Sequence, residues 1–241
     1  MTNPILPLLI AALVVATSCS PSPQNDETPP QDELASMNTL TEAERTEGWT
    51  LLFDGVTTRG WRGFRQDSMT DGWQALDGAL TRVGDGGDII TVDQYGDFEL
   101  SLEWMVEPGG NSGVIYHVTE EADQTYETGP EMQVLDDAGH ADGQSRLTAA
   151  GSNFALYPAR AGAVKAAGEW NHARIVVEGP HVEHWLNGVK VVEYELWSPE
   201  WEARVADSKF AQWPGYGMAK RGHIALQDHG DRVSYRNIKI R

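Results

Sequence analysis

Glu131, Gln133 and Asp136 put two carboxyls and an amide into one short, otherwise apolar run, Glu131-Met132-Gln133-Val134-Leu135-Asp136-Asp137. Carboxyls in a partly dry cleft are common tools of proton transfer, and pairs of them serve glycoside cleavage. Downstream, Gln227-Asp228-His229-Gly230 adds a second amide and an imidazole, the side chain that titrates nearest neutrality. The chemistry these residues suggest is acid–base work, with Glu131, His229 and Asp136 as candidate catalytic groups. A plainer arrangement accounts for the same residues: a solvated edge strand around Glu131, and a turn capped by His229 beside a solvated Asp228.

Other chemistries fit less well. Gly110-Asn111-Ser112-Gly113 invites comparison with a serine nucleophile loop, but all seven histidines follow Ser112, so the order His, Asp, Ser is impossible. The five-residue nucleophile elbow, the phosphate loop, the dinucleotide fingerprint and the His-Glu-x-x-His helix are all absent from the sequence. His181 and His184 stand at i and i+3 in a strand-like segment and point to opposite faces, so they do not share a metal. Asp85-Gly86-Gly87-Asp88 offers oxygen ligands for calcium but reads more simply as an acidic turn.

The elements that must hold these groups are strands. Period-2 geometry puts Glu131 and Gln133 on one face and Met132 and Val134 on the other. Asp136 joins the first face only if a bulge inserts one residue before it. Phe98, Leu100, Leu102 and Trp104 alternate with Glu99, Ser101, Glu103 and Met105 as a half-buried strand. Val182 to Leu186 and Val189 to Val192 flank Asn187-Gly188, a strong hairpin signal. His223 to Gln227 and Val233 to Ile240 give two more strands, with Gln227 and His229 in phase with His223. Many short strands between Gly- and Asp-rich turns, without long helical periodicity after residue 50, predict an all-β sandwich or jelly roll. Thr41-Glu42-Ala43-Glu44 has capping-box spacing and predicts a short helix at the domain start.

The ends and the charge set the setting. Ile5 to Ala16 form an apolar run broken by Pro7, too short to span a bilayer, followed by Thr17, Ser18 and the single cysteine, Cys19. Ala16-Thr17-Ser18-Cys19 resembles a bacterial lipobox, with Ala16 where Leu is usual. The expectation is a signal peptide over 1–18, lipidation at Cys19, an acidic Pro-rich tether over 19–40 and one domain over 41–241. That describes an exported lipoprotein, periplasmic or anchored at the outer membrane or cell surface, which meets the membrane only through its lipid. A net charge of −18, from 36 acidic and 18 basic residues, argues against nucleic acid as a partner.

Six ordered pieces resemble the 3-keto-disaccharide hydrolase family, also described as 3-ketoglucoside 1,2-lyase/3-keto-2-hydroxyglucal hydratase. They are Leu52-Phe53-Asp54-Gly55 with Gly60-Trp61; Gly110-Asn111-Ser112-Gly113; Glu131-x-Gln133-Val134-Leu135-Asp136; Gly168-Glu169-Trp170-Asn171; Leu186-Asn187-Gly188; and Gly222-His223-Ile224-x-Leu226-Gln227-Asp228-His229-Gly230 with Arg236-Asn237-Ile238. The resemblance runs from about residue 41 to the end. It implies a concanavalin A-like jelly-roll sandwich of two antiparallel sheets and an enzyme acting on a small keto-sugar substrate. The family's Glu-x-Gln-x-x-Asp strand is similar to the Glu-x-Asp-x-x-Glu strand of family-sixteen glucanases, but Gln133 replaces a carboxylate. That substitution turns the strand away from ordinary glucanase chemistry.

The implied reaction on a 3-keto-glycoside removes the acidic C2 proton, expels the C1 substituent and then adds water. Glu131 and His229 would share the base and acid roles in either order. A divalent metal ion, or Gln227 with Arg236, would steady the enolate. Asn111, Tyr116 and Gln133 would hold hydroxyls, and Trp61 would offer a stacking wall. A non-catalytic lectin- or laminin-like carbohydrate-binding module is the alternative that the fold leaves open.

Overall fold

The computed structural model describes residues 1–2 and 37–241. The expected signal peptide beyond residue 2, the expected lipidation site Cys19 and most of the expected tether therefore lie outside the described residues. Met37 and Asn38 at the tether's end are buried: Asn38 and Asn237 exchange backbone-to-side-chain hydrogen bonds of 2.6 and 2.8 Å, so ordered packing begins upstream of residue 41.

Helix α1 (Glu42–Thr46) opens on the capping box expected from Thr41 and Glu44. Thirteen strands follow. They are β1 (Thr50–Leu51), β2 (Trp61–Gly63), β3 (Trp73–Leu76), β4 (Ala79–Arg82), β5 (Ile89–Thr91), β6 (Phe98–Val106), β7 (Asn111–Val118), β8 (Glu131–Leu135), β9 (Asn171–Glu178), β10 (His181–Leu186), β11 (Val189–Glu195), β12 (His223–Leu226) and β13 (Val233–Ile240). An eight-stranded antiparallel sheet runs β11-β10-β9-β6-β13-β4-β3, with β1 also on β13; a five-stranded antiparallel sheet runs β2-β5-β12-β7-β8. This is the concanavalin A-like jelly-roll sandwich that the sequence led us to expect.

The alternation in β6 sends Phe98, Leu100, Leu102 and Trp104 into the core, where they meet Val114, Tyr116, Met132, Val134, Ile224 and Leu226 of the smaller sheet. Asn187 and Gly188 take φ of 50° and 81° between β10 and β11, the double positive φ that a tight hairpin demands. Helix α2 (Pro199–Ala206) had no long periodic signal, but Ser198 accepts from Trp201 N and Pro199 sits at its first turn, a local start signal. Trp201 from this helix stacks near-parallel on Tyr194 and Tyr216 and anchors it to the sandwich.

The outer face of the five-stranded sheet carries the site. Ile90, Ile115, Val118 and Ala225 form a small second cluster there, with Phe64 and Tyr126 packed on it. Glu131 pairs with Ile115 and Gln133 with Gly113, so both polar side chains emerge on this outer face while Met132 and Val134 join the core.

Candidate active site

Glu131 and Gln133 of β8, Asn111 of β7, and Gln227 and His229 just beyond β12 line one cleft of about 270 Å³. Its remaining walls are Tyr126, Asp142, Phe154 and Lys209. Adjacent strands bring β7, β8 and β12 side by side, so three separate sequence segments converge on one polar hollow. The volume sits near the lower end of small-ligand sites and is furnished with amides and ionisable groups.

Glu131 forms the floor and is 6% exposed. Burial pushes its carboxyl up to about 8, helped by the charges of Asp88 and Asp142 and opposed by Lys209. At neutral pH the carboxyl is therefore mostly protonated. With the Gln133 amide nitrogen turned towards its two acceptors, it donates to Ser112 O at 2.9 Å and to Glu131 Oε1 at 3.1 Å. Both amide hydrogens are then used, and the Gln133 oxygen is left to accept from a ligand.

The motif around Ser112 is part of this support. Ser112 Oγ donates to Gln227 O at 2.7 Å and lies 2.8 Å from Tyr235 Oη, so the hydroxyl ties the sheets together and does not attack. Gly113 is small for a reason: a Cβ there would meet Glu131 Oε1 at 2.1 Å. The glycine opens the space in which the carboxyl lies.

His229 is exposed at the mouth, with the His140 ring edge-on at a centroid distance of 6.4 Å. Its position depends on Asp228, whose carboxylate accepts from Arg82 Nε at 2.8 Å, Gly86 N and Gly87 N at 3.1 Å, and Gly230 N at 3.0 Å. Asp88 accepts from Asp228 N at 2.8 Å and from the Thr125 hydroxyl; burial raises its carboxyl, and its charge is close enough to interact with His229. The acidic turn of the sequence is thus a clamp on the loop that carries His229. Asp228→Ala leaves the buried Arg82 guanidinium without its main partner and is expected to cost about 3 kcal/mol, measured by urea unfolding.

Lys209 stands in a 3-10 turn, Lys209–Gln212, with its ammonium 4.4 Å from the Phe154 ring centroid and in no ion pair among the described residues. Neither Lys209 nor Tyr126, Asp142 and Phe154 has a periodic signal in the sequence. They come from loops and turns that only the fold brings to the cleft.

Four expected site residues lie elsewhere. Asp136 follows the end of β8, and the β7–β8 pairing runs without a register shift, so the required bulge is absent. Its carboxylate accepts from Gly109 N at 2.8 Å and Ala138 N at 3.1 Å, and so braces a turn. Tyr116 points into the core, its hydroxyl 3.0 Å from His184 Nε2 and in contact with the Tyr194 hydroxyl. Arg236 belongs to the opposite sheet, where it pairs with Glu103 Oε2 at 2.6 Å and covers the Trp170 ring at 4.1 Å. Trp61 is 4% exposed in the core and donates to Leu52 O at 2.6 Å. His223 also leaves the phase of Gln227 and His229, because the β12–β7 register shifts between His223 and Ala225.

The acidic and imidazole groups of the cleft are Glu131, Asp142 and His229. Among the described residues, the trio of such ligand atoms within 4.8 Å of one another is His181, Glu183 and Glu193 on the far sheet. There Lys190 already pairs with Glu183 and Glu193, at 3.0 and 2.7 Å.

A 3-keto-disaccharide hydrolase of Bacteroides thetaiotaomicron is 35% identical over 241 residues, spanning 87% of this chain and 83% of that protein. A solved structure from Parabacteroides distasonis, provisionally assigned as a glycosyl hydrolase, is 35% identical with a TM-score of 0.80, covering 86% of this chain and 99% of that one. A second from the same organism, with the same provisional assignment, is 30% identical with a TM-score of 0.63, over 80% and 98% of the two chains. A family model described as the 3-keto-alpha-glucoside-1,2-lyase-like domain matches residues 48–241. The chain belongs to that family.

Proposed function

We propose that this protein is a carbohydrate-active enzyme that cleaves the glycosidic bond of 3-keto-glycosides by elimination and hydration. The observation that carries the reading is the Glu131 carboxyl: buried, braced by Gln133, kept protonated near neutrality, and facing a polar cleft with an imidazole at its mouth. A conventional retaining glucanase needs a second carboxylate about 5–5.5 Å from the first; Gln133 beside Glu131 is an amide, and Asp136, the other acid of the motif, is turned away to accept from Gly109 N and Ala138 N.

A ketone at C3 makes the C2 proton acidic. His229 removes that proton, and the electron pair forms the C2=C3 enolate. The Lys209 ammonium in the cleft wall offsets the charge that develops on the C3 oxygen. The enolate then reforms the C3 carbonyl and makes a C1=C2 bond as the C1–O bond to the aglycone breaks. Glu131 gives its proton to the departing oxygen. Water adds at C1 and gives a proton to the Glu131 carboxylate, the protonated His229 returns a proton to C2, and the products are the 3-keto-sugar and the free alcohol. Asn111, Gln133 and Gln227 supply amides for the ring hydroxyls.

Incubation with a 3-keto-glucoside and with its unoxidised parent tests this. Turnover of only the keto form supports the reading, whereas turnover of the parent, or binding of the keto form without turnover, contradicts it. A finer check is Gly113→Ala. The new methyl displaces the end of a flexible side chain, not backbone, so the melting temperature changes little while turnover falls at least tenfold, because the acid is pushed out of line.

A further inference from the structure

A groove of about 640 Å³ continues the cleft along α2. Lys209 lines both hollows. Phe154 lines the cleft, and the next two residues, Ala155 and Leu156, line the groove. Asp142 of the cleft wall is tied to a third groove wall: Thr148 Oγ1 donates to Asp142 O at 2.7 Å, and the preceding residue, Leu147, lines the groove. Three chain segments thus pass directly from one hollow into the other.

The groove mixes apolar surface with two kinds of polar group. Arg204 is held in place: Nε donates to Glu200 Oε1 at 3.0 Å, Nη1 donates to Leu156 O at 2.9 Å, and the guanidinium covers the Tyr157 ring at 4.4 Å. Asp207 is different. It is exposed at the C-terminus of α2, and its carboxylate is in no ion pair or hydrogen bond among the described residues. A carboxylate there faces the negative end of the helix dipole, so its charge works against the helix. The fold gives that charge no partner.

We propose that this groove is the subsite for the leaving sugar of a disaccharide substrate, and that Asp207 is its specificity residue, accepting from two neighbouring hydroxyls of that sugar. The inference rests on the reading of the cleft as the keto-glycoside site. Its argument is size, continuity and chemistry. The cleft, at about 270 Å³, falls below the roughly 300–1,000 Å³ of ordinary ligand pockets, so a second ring must lie outside it. A group leaving from C1 of a sugar in the cleft has the groove as its neighbour. A pyranose offers a C–H face and hydroxyl edges. Leu147, 36% exposed, and Leu156 give apolar surface to the face. The carboxylate of Asp207, an acceptor at both oxygens, suits a pair of hydroxyl donors.

The test measures kcat/KM of the full chain for maltose and cellobiose oxidised at C3 of the non-reducing ring, each against the methyl 3-keto-glucoside of its anomer. Each ratio is divided by that of the enzyme-free elimination, which removes the difference between the leaving groups. The wild type is expected to favour the disaccharide of at least one anomer by roughly tenfold or more, the scale of charge-assisted hydrogen bonds. Asp207→Ala lowers that ratio by roughly tenfold without lowering the melting temperature, since it removes a carboxylate from the helix C-terminus. Ala203→Trp, which fills the groove from an exposed position, lowers the ratio as well. A wild-type ratio near one for both anomers, or a ratio that Asp207→Ala leaves unchanged, overturns the proposal. Calorimetric titration with unoxidised maltose and cellobiose separates it from the reading of the cleft. Binding tighter than that of methyl glucoside and weakened by Asp207→Ala, with no turnover of any keto-glycoside, upholds the groove and sinks the elimination chemistry. Turnover of disaccharide and methyl glycoside at equal corrected efficiency does the reverse.

Discussion

Glu131→Gln is expected to lower kcat for a 3-keto-glycoside by about a thousandfold while the fold is retained, the upper range for loss of a positioned proton donor. Gln keeps the shape and can still meet Gln133 but has no proton to give the leaving oxygen. In the wild type, kcat/KM falls as pH rises past about 8, where the buried carboxyl ionises. Stability gives an independent reading. The carboxyl's ordinary value is 4.5 and its folded value is about 8, so between these the folded chain holds a proton that the unfolded chain has released. Wild-type stability therefore declines as pH rises through that window, by up to about 1.4 kcal/mol per pH unit. Glu131→Gln removes the decline, so the variant gains on the wild type from pH 5 to 8 in denaturant titrations. A variant that stays fully active, or a wild type whose stability is flat across the window, contradicts the assignment.

His229→Ala is expected to reduce kcat by roughly a hundredfold or more through loss of the base. Because His229 is exposed at the mouth, added imidazole can reach the vacated space, and partial rescue of turnover is the expected signature. The alkaline limb near pH 8 should persist in this variant, since it belongs to Glu131. Loss of activity without rescue, accompanied by a lower melting temperature, would assign His229 to the loop structure clamped by Asp228.

The scaffold was legible because its signals are local. The β6 alternation, the Asn187-Gly188 turn and the Thr41 capping box each name their own structure within a few residues. Glu131 and Gln133 were legible for the same reason, since a two-residue period fixes their shared face once β8 is a strand. Asn111 and Tyr116, in contrast, differ by an odd number of positions along β7 and fall on opposite faces, so one lines the cleft and the other lies in the core. Asp136 needed a bulge that β8 does not make; the strand ends and the carboxylate satisfies two backbone N–H groups instead. Arg236 sits next in sequence to a family-like Asn-Ile pair, yet β13 belongs to the other sheet, and which sheet takes a strand is a matter of long-range pairing. Lys209, Asp142, Phe154 and Tyr126 reach the cleft from segments whose conformation follows from tertiary packing, and no spacing rule links them to Glu131.

The central claim is that the C2–H bond breaks during turnover. Turnover in heavy water of a 3-keto-glucoside carrying ordinary hydrogen at C2, with an enzyme-free control for background exchange, tests it directly by mass and NMR analysis of the sugar released. Elimination and hydration predict deuterium at C2 of the 3-keto-sugar product. Product that retains its original C2 hydrogen would mean direct displacement at C1 and would contradict the account.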